Sequence, residues 1–561
     1  MKKIKIILLL IAGAFMMGLS SCSKEDFNIN KDPNNATDST IAYNVILPSA
    51  QNNTARIVAR NWSWLQCYLG YWARSGTYAP NTQEETYELT TSFQSGIWSG
   101  MYDNLYDYQT MQIQASKAGA SFYEGIARIM KAHNFALLVD IYNNVPYSQA
   151  LKGSAVTTPK YDNGLDIYKD LLRQLDTAID HIKTADESKT GPNANILNDD
   201  IMYGTLMNPD ATIASMKVEW AKFANTLKLR ILTKMMNGGL EKNTSGSVGT
   251  DATYAMPKAD IEREFAIIDA EGSKFITEDA EVNPGYQSDK GNPFYNLYVA
   301  DDAGTPTSNS VYYKANIYAV GDRAAATPVD GYYLYNGDVR ASDFYTTVGG
   351  KYRGVAYGLP SATENAAATL SGIGAGAYRG VDQPQRILTA AESYFLQAEC
   401  INRNFISGDA QTTLENGITA SFISLGETST DATDYIAFNA GYADVDYTAS
   451  EYPGAGGNGA VGGLYTIISQ KWFALNAIAP YEVWSDYRRI DMSATKHHFQ
   501  YGFSTGFDAG PAISVSPSNT KTEIPCRLLY PQNEYLYNPV NVGAQPSLGS
   551  YPFSRVFWDL N

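Results

Sequence analysis

The sequence predicts a mostly α-helical fold, in which degenerate helix pairs form a scaffold for long loop-rich insertions and a few short strands. Three observations lead there. Apolar residues recur at i, i+3, i+4 and i+7 in several separate segments, the period of a helix with one buried face. Small residues such as Ala398, Gly417 and Ala420 stand where two such helices must approach closely. Between the periodic segments lie stretches rich in Gly, Ser, Thr, Asp and Tyr, in which that period fades.

The elements follow in chain order. From Ile126 the stripe Ile129, Met130, His133, Leu137, Leu138 and Ile141 predicts a helix. A second carries Tyr168, Leu171, Leu172, Leu175, Ala178, Ile179 and Ile182, and a third carries Trp220, Ala224, Leu227, Ile231 and Met235. Thr389-Ala390-Ala391-Glu392 has the spacing of a capping box and opens a helix with Phe395 and Ala398 inward. Its antiparallel partner starts after Asp409, with Leu414, Ile418, Phe422 and Leu425 inward. A last strong helix runs from about Leu464 to Ile478. The pairs have the look of tetratricopeptide hairpins without their strict period of about 34 residues. Loops dominate from Asn237 to Gly380, from Tyr435 to Gly463 and from Lys496 onward, and long ordered loops are usually functional.

The N-terminus sets the compartment. Met1-Lys2-Lys3-Ile4-Lys5 and the apolar run Ile6–Leu19 form a bacterial export signal, too short to span a bilayer as a mature helix. Leu19-Ser20-Ser21-Cys22 resembles the lipobox of bacterial lipoproteins, which implies a signal peptide over 1–21 and lipidation of Cys22. Each buried CH₂ contributes ~0.8 kcal/mol, so a doubly acylated anchor in the outer-membrane lipid is effectively permanent. Ser23-Lys24-Glu25-Asp26 resembles the surface-export signal of Bacteroidetes lipoproteins and implies a face toward the cell exterior. Asn28–Asn35 is polar and breaks regular structure, so 22–40 reads as a tether and 41–561 as a single domain with its main insertion at about 237–380.

Composition narrows the function. The formal charge is −16 and grows more negative once the signal, with three lysines and no acid, is removed. An acidic chain argues against nucleic acid, which needs a basic patch. It also argues against lying flat on anionic lipid. Beyond Cys22 only Cys67, Cys400 and Cys526 remain, which is no disulfide framework, and Cys67 and Cys400 fall on apolar helical stripes as buried thiols.

Catalytic patterns fail on their context. Gly502-Phe503-Ser504-Thr505-Gly506 matches a nucleophile elbow, but Phe507–Pro511 is a poor helix start and no histidine follows His498. Gly454-Ala455-Gly456-Gly457-Asn458-Gly459 matches a dinucleotide fingerprint without a strand before it. Of four histidines, His133 belongs to an apolar stripe, His181 to a polar helix face, and His497-His498 are neighbours that point apart. No catalytic residue, metal or cofactor is expected. A paired-carboxylate glycoside hydrolase stays open as an alternative, because the acids are many and no spacing selects a pair.

Aromatic residues are the better clue, with 41 tyrosines and 8 tryptophans. Sugars stack CH faces on flat rings while Asn, Asp and Arg bond their hydroxyls. Trp64, Tyr68, Tyr71 and Trp72 read as core. Tyr78 with Asn81, and Tyr295 with Asn292, lie in aperiodic stretches and are the candidate ligand-binding residues.

Several blocks together resemble the SusD/RagB-like family of nutrient-binding outer-membrane lipoproteins. They are Asn30-Lys31-Asp32-Pro33-Asn34, Asp140–Ser148, Arg386–Glu399, Gln470-Lys471-Trp472 with Tyr481–Arg489, and Arg527–Tyr535 with Asn538. Ile490-Asp491-Met492 departs from the family, which often has Gly and Pro there. Physically the blocks read as structural: Glu392 and Glu399 share a helix face suited to arginines. Glu482, Asp486, Arg488 and Arg489 suit bidentate pairs at a helix end. The resemblance implies a surface lipoprotein that captures a glycan or another nutrient for a SusC-like TonB-dependent transporter. A passive adhesin is the remaining alternative.

Overall fold

Side chains that compete poorly inside helices start them here. Asn163, Thr212, Thr389, Asp409 and Thr428 each accept a backbone N–H from the first turn of the helix that follows. The computed structural model describes residues 41–60, 62–186, 194–236, 254–374, 377–378, 380–449, 462–489, 513–546 and 554–559. Cys22, Glu25 and Asp26, the Gly454 and Gly502 motifs and His497-His498 lie outside them.

Eleven described helices reach ten residues or more: α1 Tyr43–Arg60, α2 Ser95–Ala118, α3 Ser121–Tyr142, α4 Gly164–Lys183, α5 Ile213–Met235, α6 Lys258–Glu271, α7 Ala390–Asn402, α8 Ala410–Leu425, α9 Ser429–Phe438, α10 Gly462–Leu475 and α11 Pro480–Arg489. Neighbours in sequence pack as antiparallel partners from α1 to α4, and α4 packs on α5. α7 and α8 form the second close pair, with α10 laid across α7 and α11 returning to α5. Gly125 lets α3 touch α4, because a Cβ there would meet Ile182 Cγ1 at 2.5 Å. Gly417 does the same for α8, under the ring of Phe395.

The strands are short and paired antiparallel: β1 Trp72–Arg74 with β5 Tyr313–Ala315, β2 Val145–Pro146 with β3 Tyr161–Asp162, β4 Ala280–Val282 with β8 Gln385–Leu388, and β6 Gly321–Asp322 with β7 Val329–Asp330. The fold class predicted from the sequence is therefore the observed one. The last predicted helix ends three residues early, at Leu475, because Ala477 turns the chain with φ +58° before α11 begins.

Charged residues dominate the heart of the helical body. Asp140 on α3 accepts from Lys234 Nζ at 2.6 Å, from Trp558 Nε1 at 3.0 Å and from the Tyr168 hydroxyl. Lys234 also reaches Glu482 at 3.1 Å, and Arg230 pairs with Glu392 through 2.6 and 2.7 Å bonds. Two turns along, Glu399 takes both terminal nitrogens of Arg489 at 2.6 Å, Arg489 bonds Asp486 at 2.8 Å, and Lys471 pairs with Asp486 at 3.0 Å. All these residues are buried. Burial alone would raise the Glu399 carboxyl, but Arg489 and Arg403 outweigh it and hold it at about 2.

The capping box at Thr389 is only half formed. Thr389 Oγ1 accepts from Glu392 N at 3.2 Å, while the Glu392 carboxylate is drawn off to Arg230. Arg488 turns to backbone oxygens and rings. It donates to the carbonyls of Trp484, Asp140 and Cys526 and lies 3.6 Å above the Trp484 ring. Arg527, Leu528 and Tyr530 complete that corner by donating to the carbonyls of Ile141, Tyr142 and Asn144 at the end of α3.

Two substitutions test this core. Lys234→Met removes the cation that Asp140 and Glu482 share, leaving Glu482 only Arg230 at 3.6 Å, and is expected to cost about 3–5 kcal/mol. Phe395→Ala, at a fully buried ring, is expected to cost about 3–5 kcal/mol as well. Urea unfolding of each variant beside wild type measures both, and a midpoint within error of wild type would show that the site tolerates the change.

Candidate functional site

The loop after β1 is built around one guanidinium. Arg74 Nε donates to Glu85 Oε1 at 2.5 Å, Nη1 to the Tyr78 carbonyl at 2.7 Å and Nη2 to the Leu359 carbonyl at 2.5 Å. Pairing of β1 with β5 sets Arg74 opposite Tyr313, so Tyr312 and Val311 accept from Ser75 N and Oγ. A third strip, Ser361–Ala367, bonds the same loop: Ser361 Oγ donates to the Tyr78 carbonyl and Ala367 N to Thr77 Oγ1. Gly76 is required here, since a Cβ would meet the carbonyls of Ala362 and Asn365 at 2.8 and 2.9 Å.

On this bracket two half-buried rings meet. Tyr78 and Tyr312 have centroids 5.0 Å apart at 53°, and Tyr312 packs on Tyr313 at 4.8 Å. Asn81 is exposed and caps the short helix Thr82–Glu85, accepting from Glu84 N at 3.4 Å. Tyr295 is half-buried and opens the one-turn helix Tyr295–Tyr298. That turn is held by Thr307 and Asn309, which donate to the Leu297 carbonyl at 3.0 and 3.1 Å. Both expected tyrosines therefore lean on one short segment, 307–312.

Asn292 requires a correction. It is fully buried, its Oδ1 accepts from Phe294 N and Tyr295 N, and its Nδ2 donates to the Gln383 carbonyl at 2.9 Å. Every polar atom is used inside the protein, so Asn292 braces the Tyr295 turn and offers nothing to a ligand. The remaining aromatics expected in the core are there: Trp64, Tyr68, Tyr71 and Trp72 are buried. His133 is buried too, and Cys67 and Cys400 are buried free thiols.

Sequence reasoning missed Tyr312, whose place beside Tyr78 depends on a strand pairing across more than two hundred residues. It also missed a second group of rings. Tyr335, Phe438 and Tyr442 are 54%, 69% and 50% exposed, the Tyr335 and Tyr442 rings are 6.3 Å apart, and the Phe438 ring lies over Gly337. Among the described residues no group of three or more His, Cys, Asp or Glu is placed to hold a metal ion, and no helix is long and apolar enough to cross a membrane.

The bracket contains one misplaced charge. Glu84 is buried beside Glu85, and desolvation, countered in part by the Tyr357 hydroxyl, pushes its carboxyl up to about 7. A folded-state value above the ordinary 4.5 favours the protonated form, so Glu84 costs stability increasingly as pH rises from about 4.5 through 7. Glu84→Gln is accordingly expected to raise the melting temperature at pH 8 and leave it nearly unchanged at pH 4. Melts at the two pH values check this, and an equal shift at both would show that burial of the charge is not the cause.

Comparison with known proteins places the architecture. A SusD-like family model, described as starch-binding and associating with the outer membrane, matches residues 30–531. A SusD homologue from Bacteroides fragilis superposes with a TM-score of 0.64 at 21% identity, over 92% of this chain and 99% of the other. A chitin-binding SusD homologue from Flavobacterium johnsoniae gives 0.62 at 21% identity over 92% and 99%. A SusD/RagB family protein from Bacteroides thetaiotaomicron gives 0.64 at 20% identity over 93% and 99%. No curated protein matches the chain.

Proposed function

The chain belongs to the SusD-like family, and from that premise we propose that it is a lipid-anchored protein of the outer-membrane surface that captures a glycan and passes it to a SusC-like TonB-dependent transporter. The observation that carries the binding half is the Tyr78–Tyr312 ring pair, half-exposed on loops braced around Arg74 and the β1–β5 pairing. A ring on a braced loop has only two torsions to fix, so stacking on a sugar costs little entropy. Asn81 is exposed three residues after Tyr78, with long 3.4 Å bonds to Glu84 that a ligand hydroxyl can replace, and the Tyr295 turn leans on the same segment. A chitin-binding relative of like fold supports a saccharide as the ligand class.

The anchoring half is supported by the lipobox ending at Cys22 and by the family's association with the outer membrane. Delivery to a transporter follows from chemistry. A protein outside the outer membrane has no access to an energy source, so vectorial uptake needs a partner that spans the membrane. The acidic cluster Glu25-Asp26 behind the cysteine favours the exterior face.

Isothermal titration with chito- and malto-oligosaccharides, run beside thermal melts, tests the binding site. Tyr312→Ala and Tyr78→Ala are each expected to weaken binding by about 1–2 kcal/mol, roughly five- to thirtyfold. Their melting temperatures should stay near wild type. Lost stability with unaltered affinity in the folded fraction would assign both rings to loop pinning alone.

Cys22→Ser tests the anchor. It is expected to abolish incorporation of a fatty-acid analogue, to release the protein from the outer membrane and to end its co-purification with a large barrel. Unchanged labelling would sink the assignment of the anchor.

A further inference from the structure

A cavity of about 410 Å³ opens between α7 and α8 and shares no residue with the Tyr78–Tyr312 loops. Its size falls within the range of small-ligand pockets. One wall is α8, where Asn416, Thr419, Ala420 and Ile423 recur at helical spacing on one face. The other is the first turn of α7, with Ala390 and Tyr394, and Thr277–Asp279 closes the end.

The polar groups in this cavity fall into two sets. Asp279 is committed to the fold: Oδ1 accepts from Ala390 N at 2.9 Å, Oδ2 accepts from Ser424 Oγ at 2.6 Å, and Arg386 Nε lies 3.3 Å away. Thr419 Oγ1 is bound to the Glu415 carbonyl. Tyr394, Asn416 and Glu278 form the second set. None of their side chains has a recorded hydrogen bond or ion pair to the described residues. Ile423 is 56% exposed, although it sits one turn from Ala420, which packs against the core. An exposed isoleucine, a half-exposed tyrosine ring, a free amide and a free carboxylate thus surround one concave space.

We infer that this cavity is a second saccharide-binding site, taking the end of a neutral oligosaccharide with its CH face on Tyr394 and Ile423 and its hydroxyls on Asn416 and Glu278. The inference rests on the glycan-capture reading above and adds to it a separate locus on the helical scaffold. The chemistry selects the ligand class. Glu278 repels an anion, while Asp279 is already paired with Arg386 and cannot hold a cation alone. The remaining carboxylate is an acceptor for hydroxyl donors. The floor of Ala390, Ala420 and Ile423 is too polar at its rim for a wholly apolar ligand and too apolar at its base for a hydrated ion. A sugar, apolar on its faces and polar around its edge, matches both. Two loci on one chain also raise retention of a long polymer through effective concentration, without either contact being strong.

The test uses the full mature chain, titrated with chito- and malto-oligosaccharides, with melts alongside. Two variants address the cavity: Tyr394→Ala removes the stacking face, and Ile423→Trp, at an exposed position, fills the space. Each is expected to remove one of two binding events, or to weaken the second at least tenfold, while Tyr312→Ala affects only the other. If Tyr312→Ala abolishes all binding and both cavity variants bind as wild type, the cavity is not a saccharide site and the glycan-capture reading stands. If wild type binds neither series, both readings fall. If the cavity variants lose binding and Tyr312→Ala does not, the cavity is the saccharide site and the loop pair is structural. Binding of a peptide library at the cavity with no response to sugars would also overturn the inference.

Discussion

Burying a charge in a helical core is costly unless a partner of opposite sign meets it in good geometry, and this fold buries many. Asp140, Lys234, Glu482, Arg230 and Glu392 form one alternating run, and Glu399, Arg489, Asp486 and Lys471 form a second beside it. Together they link α3, α5, α7, α10 and α11, which are far apart in sequence. Replacing such pairs with apolar side chains is often neutral in energy, so their value lies in selecting one arrangement. A helix shifted by one turn would leave several charges buried without a partner. The C-terminal stretch then caps the end of α3, where Asp140 begins the first run.

The loops repeat the device at smaller scale. Arg74 does for the Tyr78 loop what the ionic runs do for the helices, with one planar cation satisfying a carboxylate and two carbonyls from separate strips of chain. Guanidinium suits this role because its donors are fixed in direction and always charged. On the binding reading proposed above, these loops need supply little beyond position. Rings set on a braced surface offer stacking faces without having to be ordered by the ligand, and related proteins with like folds can differ in ligand through loop residues alone.

The helical scaffold was legible because its information is local. Stripes such as Leu414, Ile418, Phe422 and Leu425, and caps such as Thr389 and Asp409, act within a few residues of one another. The pairing of Glu392 and Glu399 with arginines could be foreseen as chemistry, since two acids on one buried face need cations. The identity of those cations could not, since Arg230 and Arg489 lie 162 and 90 residues away. The candidate site failed in the same place. Asn292 sits in an aperiodic, polar stretch like Asn81, yet long-range packing of Gln383 and Gln385 over it turns a plausible ligand contact into a buried brace. Tyr312 escaped notice because nothing near it in sequence announces that β5 will bring it to Tyr78.

The sorting of charge between inside and outside has a further consequence, in ionic strength. The chain carries an excess of acid, and many of its described carboxylates face solvent. Mobile ions screen exposed charges over about 8 Å at physiological salt but reach buried pairs hardly at all. Added salt therefore weakens the mutual repulsion of surface carboxylates while leaving the attractions of Glu399 with Arg489 and Glu392 with Arg230 intact. The net electrostatic balance therefore shifts toward the folded state as the medium becomes more saline.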